Sequence, residues 1–367
     1  MRKVTREDME LGEDLTPMQE TLEEVKATLR RHFEIKDWRC IELIMAMAVA
    51  HYTPGEMFWC RIIGPSRSGR TELLRAIAKH PDCANLEFLT PAAIRGGFKT
   101  GDKVLNRING KLVITKDLAT LLTTRSDVRT EILGLLRPIK DGNLVSDFGT
   151  PEGYIAQEVK FDWMIATTEV FERYRTFESL LGERFIDMRW RPGNREEMAY
   201  RAGLNNPFLE TTIRPEIATC VCSLLTRAQE TICDIELSDS EIRIISGYAD
   251  KTAKLRTPVE SDRYSNVITY PEPEIGTDLT QGFCRIVKGL KLLGLSYEGY
   301  LNRLLWDCMP KMRNQVIQCL LRGQKDEVQI ATTTNISQSS ISFILQDLRL
   351  LGLVEGNDFI MQLHINT

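Results

Sequence analysis

Histidine is scarce in this chain: His32, His51, His80 and His364 are the only 4, and no two share the i,i+4 spacing of a helical metal site. That argues against zinc chemistry. The 9 cysteines include no C-x-x-C pair, and the closest two are Cys220 and Cys222. An odd, scattered set of this kind reads as reduced thiols filling a core, and places the protein in the cytoplasm. The opening stretch, MRKVTREDMELGEDL, lacks the apolar run of a secretion signal. The longest apolar run, LIMAMAVA at 43–50, is too short to span a bilayer, so no membrane partner is expected. There is no fixed-period repeat and no low-complexity segment. Nor is there an excess of positive charge: the net charge is −4. A surface wrapped in nucleic acid is therefore excluded, and any such contact has to be local.

What remains is an ordinary globular composition, 43% apolar and 27% charged over 367 residues, enough for two or three domains. The first ~15 residues are polar and read as loose. Thr16-Pro17-Met18-Gln19 then reads as a helix start, with Thr16 as N-cap and Gln19 closing a capping box. Leu22, Val25, Leu29 and Phe33 recur behind it at helical spacing. A second helix is expected from after Asp37 to about His51, ended by Thr53-Pro54-Gly55. From 57 to 191 strands and helices alternate. The strands are read at 57–63, 86–89, 111–115, 161–167 and 186–190, which implies an α/β fold with a parallel sheet covered on both faces. Turn residues between two β-prone runs at 138–160 predict an inserted hairpin. Residues 193–308 read as mainly helical, interrupted at YPEPEIG. The stretch 311–367 reads as helix, helix, turn, helix and a small hairpin at Gly356-Asn357.

The chemistry concentrates in CRIIGPSRSGRTELLRAIAKH, residues 60–80: an apolar strand, a small-residue loop and an amphipathic helix. This is the layout of the phosphate-binding pattern G-x-x-x-x-G-K-[ST], with Arg70 in the place of lysine. Gly64 and Gly69 let the backbone wrap closely around anionic oxygens, so Gly64, Pro65, Ser66, Arg67, Ser68, Gly69, Arg70 and Thr71 form the candidate cradle. The following helix presents its N-terminal dipole. Thr71 is placed to ligate Mg²⁺ through its hydroxyl. Arginine is planar and larger than lysine, which favours nucleotide binding over fast hydrolysis. The plainer alternative is a Gly/Ser turn with Arg67 and Arg70 solvated. The strand KLVIT runs into Asp117, an acid suited to holding Mg²⁺, but Leu118 stands where a second acid would orient water. The catalytic base is thus unassigned between Glu169 and an acid of a neighbouring subunit. After the fourth strand, Thr168, or less well Thr167, would reach a γ-phosphate or the attacking water. Arg184 precedes the fifth strand, where it either faces a neighbouring protomer or pairs with Glu183 or Glu178.

This order of motifs resembles the AAA+ ATPases, closest to those of phages and integrative mobile elements and more distantly to MCM-type helicases. WCRIIGPSRSGRTELLRAI, GKLVITKDLATLL and LGERFIDMRW carry the match, and AKLRTPVESDRY followed by YPEPE extends it over about residues 38–350. The resemblance implies a helical segment at 1–52, a nucleotide-binding core at 53–192, a helical lid at 193–308 and a winged-helix domain at 309–367. It implies ATP and Mg²⁺ as cofactors, Gly64 to Thr71 as Walker A, Asp117 as Walker B and Thr168 as sensor 1. Arg184 would be an arginine finger acting in trans, worth about 10³-fold or more in rate where studied. That role requires a homo-oligomer, commonly a hexameric ring. Arg243 and Arg256 both qualify as the sensor 2 arginine.

For nucleic acid, the stretch IRGGFKTGDKVLNRINGK carries Arg95, Lys99, Lys103, Arg107 and Lys111 around Phe98, against Asp102. In a ring it reads as a mobile loop facing DNA in the pore, with basic groups on phosphates and Phe98 on bases. The alternative is a solvated helix face with Phe98 packed inward. In the tail, Ile330, Ile336, Ile341, Leu345 and Leu348 are the expected core, and Ser337 the cap of a recognition helix offering Ser339, Ser340 and Ser342. Its bases, Lys311, Arg313, Arg322, Lys325 and Arg349, are matched by Asp326, Glu327, Asp347, Glu355 and Asp358. Both a DNA contact and a protein partner are therefore open. The tryptophans read as core or interface. Three functions are compatible with these residues: an oligomeric ATP-dependent DNA motor or remodeller, a nucleotide-gated scaffold with little or no hydrolysis, and, more weakly, a transcriptional regulator.

Overall fold

The computed structural model describes residues 16–87, 90–94, 104–117, 124–147, 154–174, 185–231, 235–259, 271–324 and 326–361. The chain divides into two units, Met1–Ser238 with Gln281–Tyr300, and Asp239–Thr280 with Leu301–Thr367.

The first unit opens with helix α1, Pro17–His32. Its capping box is complete: Gln19 N donates to Thr16 Oγ1 at 3.3 Å, and Thr16 N donates to Gln19 Oε1 at 2.7 Å. Leu22, Val25 and Leu29 form its buried stripe. Helix α2, Trp38–Ala50, is buried along nearly its whole length, as its apolar composition demands. The helix Thr277–Leu292 approaches it so closely that a Cβ added at Gly289 would lie 2.1 Å from the Ala46 carbonyl oxygen. Gly289→Ala is expected to destabilise the first unit by about 1–3 kcal/mol or more, since backbone has to move. The check is a lower urea midpoint at unchanged slope.

The architecture is mixed α/β. Strands β1 (Trp59–Ile63), β2 (Cys83–Asn85), β3 (Leu112–Thr115), β6 (Asp162–Thr167) and β7 (Phe185–Arg189) form one sheet in the order β2-β3-β6-β1-β7. Every pairing in it is parallel. Helix α3, Arg70–Ile77, follows β1. The expected strand at 86–89 is a correction: the paired residues are Cys83–Asn85, and 88–89 lie outside the described residues. Ala and Asn are weak strand formers, and pairing against Leu112–Ile114 overrides that preference. The inserted hairpin is present, with β4 (Asn143–Asp147) antiparallel to β5 (Tyr154–Glu158); its tip, 148–153, lies outside the described residues.

Trp59, Trp163 and Phe185 share one register across β6, β1 and β7 and build an aromatic layer, the two indoles 5.2 Å apart and nearly perpendicular. Both indole N–H groups are satisfied: Trp59 donates to the Phe161 carbonyl at 3.2 Å and Trp163 to Thr115 Oγ1 at 2.9 Å. One step deeper, Arg61 and Asp187 form a buried two-pronged pair, at 2.7 and 3.1 Å, with the guanidinium over Phe171. At the start of β6, Asp162 accepts from Phe58 N, His51 Nδ1 and Arg285 at 2.8–2.9 Å.

In the second unit, helices Lys311–Leu321, Glu327–Thr334 and Gln338–Leu350 are followed by the hairpin β8 (Val354–Glu355) and β9 (Asp358–Phe359). Ser337 caps the last helix by accepting from Ser340 N at 3.2 Å. Ile330, Ile341, Leu345 and Leu348 are buried, while Ile336 is half-buried. Asn335 takes the left-handed conformation, φ 58°, that turns the chain between the two helices.

Candidate functional site

Strand β1 feeds a connection toward the β2 edge, whereas its neighbour β6 feeds one across to β7. The two adjacent strands therefore send the chain in opposite directions. In open parallel sheets the crevice beyond the carboxyl ends of such a pair is where ligands bind. The segment 64–71 leaves the end of β1, and Thr167 and Thr168 stand at the end of β6. The two ends are joined directly, Gly64 N donating to the Thr167 carbonyl at 3.1 Å.

The loop has two left-handed residues, Arg67 at φ 58° and Gly69 at φ 89°, the latter capping helix α3. Arginine pays for that conformation where glycine does not. Pro65, Ser66 and Arg67 are exposed, while Gly64, Ser68 and Arg70 are buried. Arg70 turns inward. Its Nη1 donates to the Pro65 carbonyl at 2.8 Å and to the Gly64 carbonyl. Burial pulls its guanidinium down to about 10, and the charge of Asp117 works against that pull. The group is thus a cation at neutral pH. Two buried polar atoms in the loop, Ser68 Oγ and Arg70 Nε, have no hydrogen-bond partner among the described residues. Ser68 and Arg70 are each only 5% exposed, so bulk solvent does not reach them freely. Such orphans are uncommon and call for an explanation.

Thr71 is half-buried in the first turn of α3. Glu72 beside it is gripped by Arg214, Nε donating to one carboxylate oxygen at 2.7 Å and Nη2 to the other at 2.8 Å. This ties α3 to the N-terminus of the helix Arg214–Thr231. Asp117 is exposed just beyond β3, on the same edge of the sheet as the loop. Thr168 is half-buried, and its carbonyl accepts from Phe171 N at 3.2 Å. The turn that follows, Glu169–Tyr174, is pinned to β7 by Arg189 donating to Glu172 at 2.5 Å. Gly64 to Thr71, Asp117 and Thr168 therefore share one edge of one sheet.

Arg184 lies outside the described residues, as do Arg95, Phe98, Lys99 and Lys103; Arg107 is exposed on the short helix Val104–Ile108. Arg243 and Arg256 sit in the helix Asp239–Arg256 of the second unit, the first exposed and the second buried.

One residue escaped the sequence reading. Trp190, treated there as core or interface, is the first residue after β7, and its N donates to the Ile63 carbonyl at 2.7 Å. A Cβ added at Gly64 would lie 2.9 Å from Trp190 Cβ, and one at Gly69 would lie 3.9 Å from its Cζ2. The indole thus runs along the loop from one glycine to the other. The signal that would have found it is positional: it follows a strand whose carboxyl end shares the edge of the site.

Among the described residues no cluster of three or more histidine, cysteine, aspartate or glutamate side chains is placed to hold a metal ion. Magnesium does not need one, because it binds through one or two protein oxygens with phosphates and water completing its shell. Thr71 and Asp117 are donors of that kind. No helix among the described residues is long and apolar enough to cross a membrane. Comparison with known proteins finds no family model and no curated protein that matches this chain.

Proposed function

We propose that residues 64–71 bind the phosphates of ATP with Mg²⁺, and that the chain is an AAA+ protein with a helical lid and a C-terminal winged helix. The observation that carries this reading is the pair of buried, unpartnered atoms, Ser68 Oγ and Arg70 Nε, at the N-terminus of an eight-residue helix over a topological switch point. A buried cation, an oriented helix end and a hydroxyl with nothing to bond are together suited to an anion with several oxygens. A carboxylate ligand would satisfy fewer of them. Thr71 and Asp117 would hold the Mg²⁺, which when bound supplies charge for the β- and γ-phosphate oxygens. Arg70 anchors the phosphates, and Thr168 orients groups at the γ end.

In this reading the protein assembles as a homo-oligomer, with Arg184 completing a neighbour's site. It works as a DNA motor or remodeller of the helicase type, contacting a strand through Arg95, Phe98, Lys99, Lys103 and Arg107. A second reading is favoured by Arg70 itself, which is committed to two carbonyls of its own loop, and by Leu118 after Asp117. In that reading the protein is a nucleotide-gated scaffold that holds ATP, assembles and recruits a partner through the winged helix.

Calorimetric titration with MgATP, followed by steady-state turnover with and without single-stranded DNA, tests both. Saturable binding is expected; its absence at millimolar Mg²⁺ overturns the assignment. DNA-stimulated turnover lost in Arg184→Ala identifies the motor, and binding without turnover identifies the scaffold.

A further inference from the structure

Three tryptophans of the sheet core are almost fully buried, and two of them, Trp59 and Trp163, donate their indole N–H to a protein oxygen. The third, Trp190, is 7% exposed, and its Nε1 is buried with no hydrogen-bond partner among the described residues. An indole nitrogen can only donate, so an acceptor has to come from elsewhere. The direction of that donor is constrained. Cζ2, the ring atom nearest Gly69, is separated from Nε1 by a single ring carbon, so the N–H edge of the indole lies toward the Gly69 end of the loop. That is where α3 begins and where Ser68 Oγ and Arg70 Nε are also unpartnered. Three orphan donors from two separate segments of the chain therefore gather at one helix N-terminus.

We infer that Trp190 is a phosphate-binding residue, its indole N–H donating to a nonbridging oxygen of the anion held by residues 64–71. The inference rests on the phosphate-binding reading of that loop and adds to it a donor that the loop pattern itself does not contain. The same residue also fixes the loop's shape. Its Cβ and carbonyl oxygen leave no room for a side chain at Gly64, with contacts of 2.9 and 3.2 Å to an added Cβ. Trp190 thus roofs the cradle and supplies a donor to its contents. The competing account is an indole N–H that serves only a trapped water.

The test uses the full chain, labelled with ¹⁵N at the indole nitrogens, and inorganic tripolyphosphate with Mg²⁺ as the probe, so that no base contributes. One indole resonance, identified by its loss in Trp190→Phe, is expected to move downfield as tripolyphosphate is added. Trp190→Phe keeps an aromatic roof and removes the donor, and its affinity is expected to fall by about 10-fold or more, as for a hydrogen bond to a charged group. Its melting temperature is expected to fall by a few degrees, because the smaller ring leaves a void, so affinities are compared at a temperature where both proteins are folded. A parent protein that binds tripolyphosphate while the Trp190 resonance stays put and Trp190→Phe binds equally well overturns this inference and leaves the loop assignment standing. A parent protein that binds neither tripolyphosphate nor ATP overturns both.

Discussion

Replacing Arg70 with methionine is expected to weaken MgATP binding by about 100-fold or more. The reason lies in where the guanidinium sits. It is buried, holds the Gly64 and Pro65 carbonyls, and is still charged at neutral pH because burial pulls it down only to about 10. Hydrogen bonds to a charged group are worth about 1.5–3 kcal/mol each, so if the proposed phosphates take two of them from this cation, its loss amounts to roughly 3 kcal/mol or more. Methionine fills comparable space without the charge, which separates the loss of anion affinity from a collapse of the loop. Calorimetric titration reads the effect, and an unchanged dissociation constant would refute the role of Arg70. Arg70→Lys is the informative companion. An ammonium keeps the charge as a compact point but lacks the planar guanidinium whose Nη1 reaches both carbonyls. Affinity should stay within about 10-fold. A large gain in turnover would mark arginine as the residue that favours holding nucleotide over spending it, and unchanged turnover would count against the scaffold reading.

The second large effect concerns stability. Arg285→Met is expected to cost about 3–5 kcal/mol, the range for breaking one side of a buried ion pair. Arg285 donates to the carbonyls of Ala50, Gly55 and Glu56, to Thr53 Oγ1 and to Asp162, with bonds of 2.7–3.2 Å. Its side chain and that of Asp162 are only 5% and 6% exposed. Removing the guanidinium strands a carboxylate, which keeps Phe58 N and His51, and leaves several carbonyls without donors. A fall of roughly 10 °C in melting temperature corresponds to this loss. The double variant Arg285→Met with Asp162→Asn should lose less than the sum of the two single changes, because the buried charge leaves with its partner. Strict additivity would show that the two residues do not act as a pair.

Much of this fold is legible in the sequence, for reasons that are local. Thr16, Pro17 and Gln19 specify the start of α1 within four residues, and the structure contains that capping box atom for atom. Strands β1, β3, β6 and β7 are short runs rich in apolar and aromatic residues, and their ends fall within one or two residues of expectation. β2 was misplaced because Cys83-Ala84-Asn85 has no strand character of its own. It becomes a strand only through Leu112–Ile114 beside it, which no local reading contains. The loop at 64–69 was legible from its glycines, but the inward turn of Arg70 was not, since side-chain direction depends on what lies beneath the loop. Trp190 shows the same limit. Apolar character marks it as buried, yet nothing within its own segment places it over Gly64 and Gly69. The strand order β2-β3-β6-β1-β7 does, by setting β7 against β1.

The reach of Arg285 has a consequence for how the protein is made. Its bond to the Ala50 carbonyl joins residues 235 positions apart. At about 5–20 residues per second, roughly ten to fifty seconds separate the emergence of the two partners from the ribosome. Through that interval the apolar surface of α2 waits for a segment that has not yet been translated, and the carboxylate of Asp162, 123 positions before Arg285, waits through about the second half of it. A chain cut before residue 285 lacks the donor for the Ala50, Gly55 and Glu56 carbonyls and for Asp162.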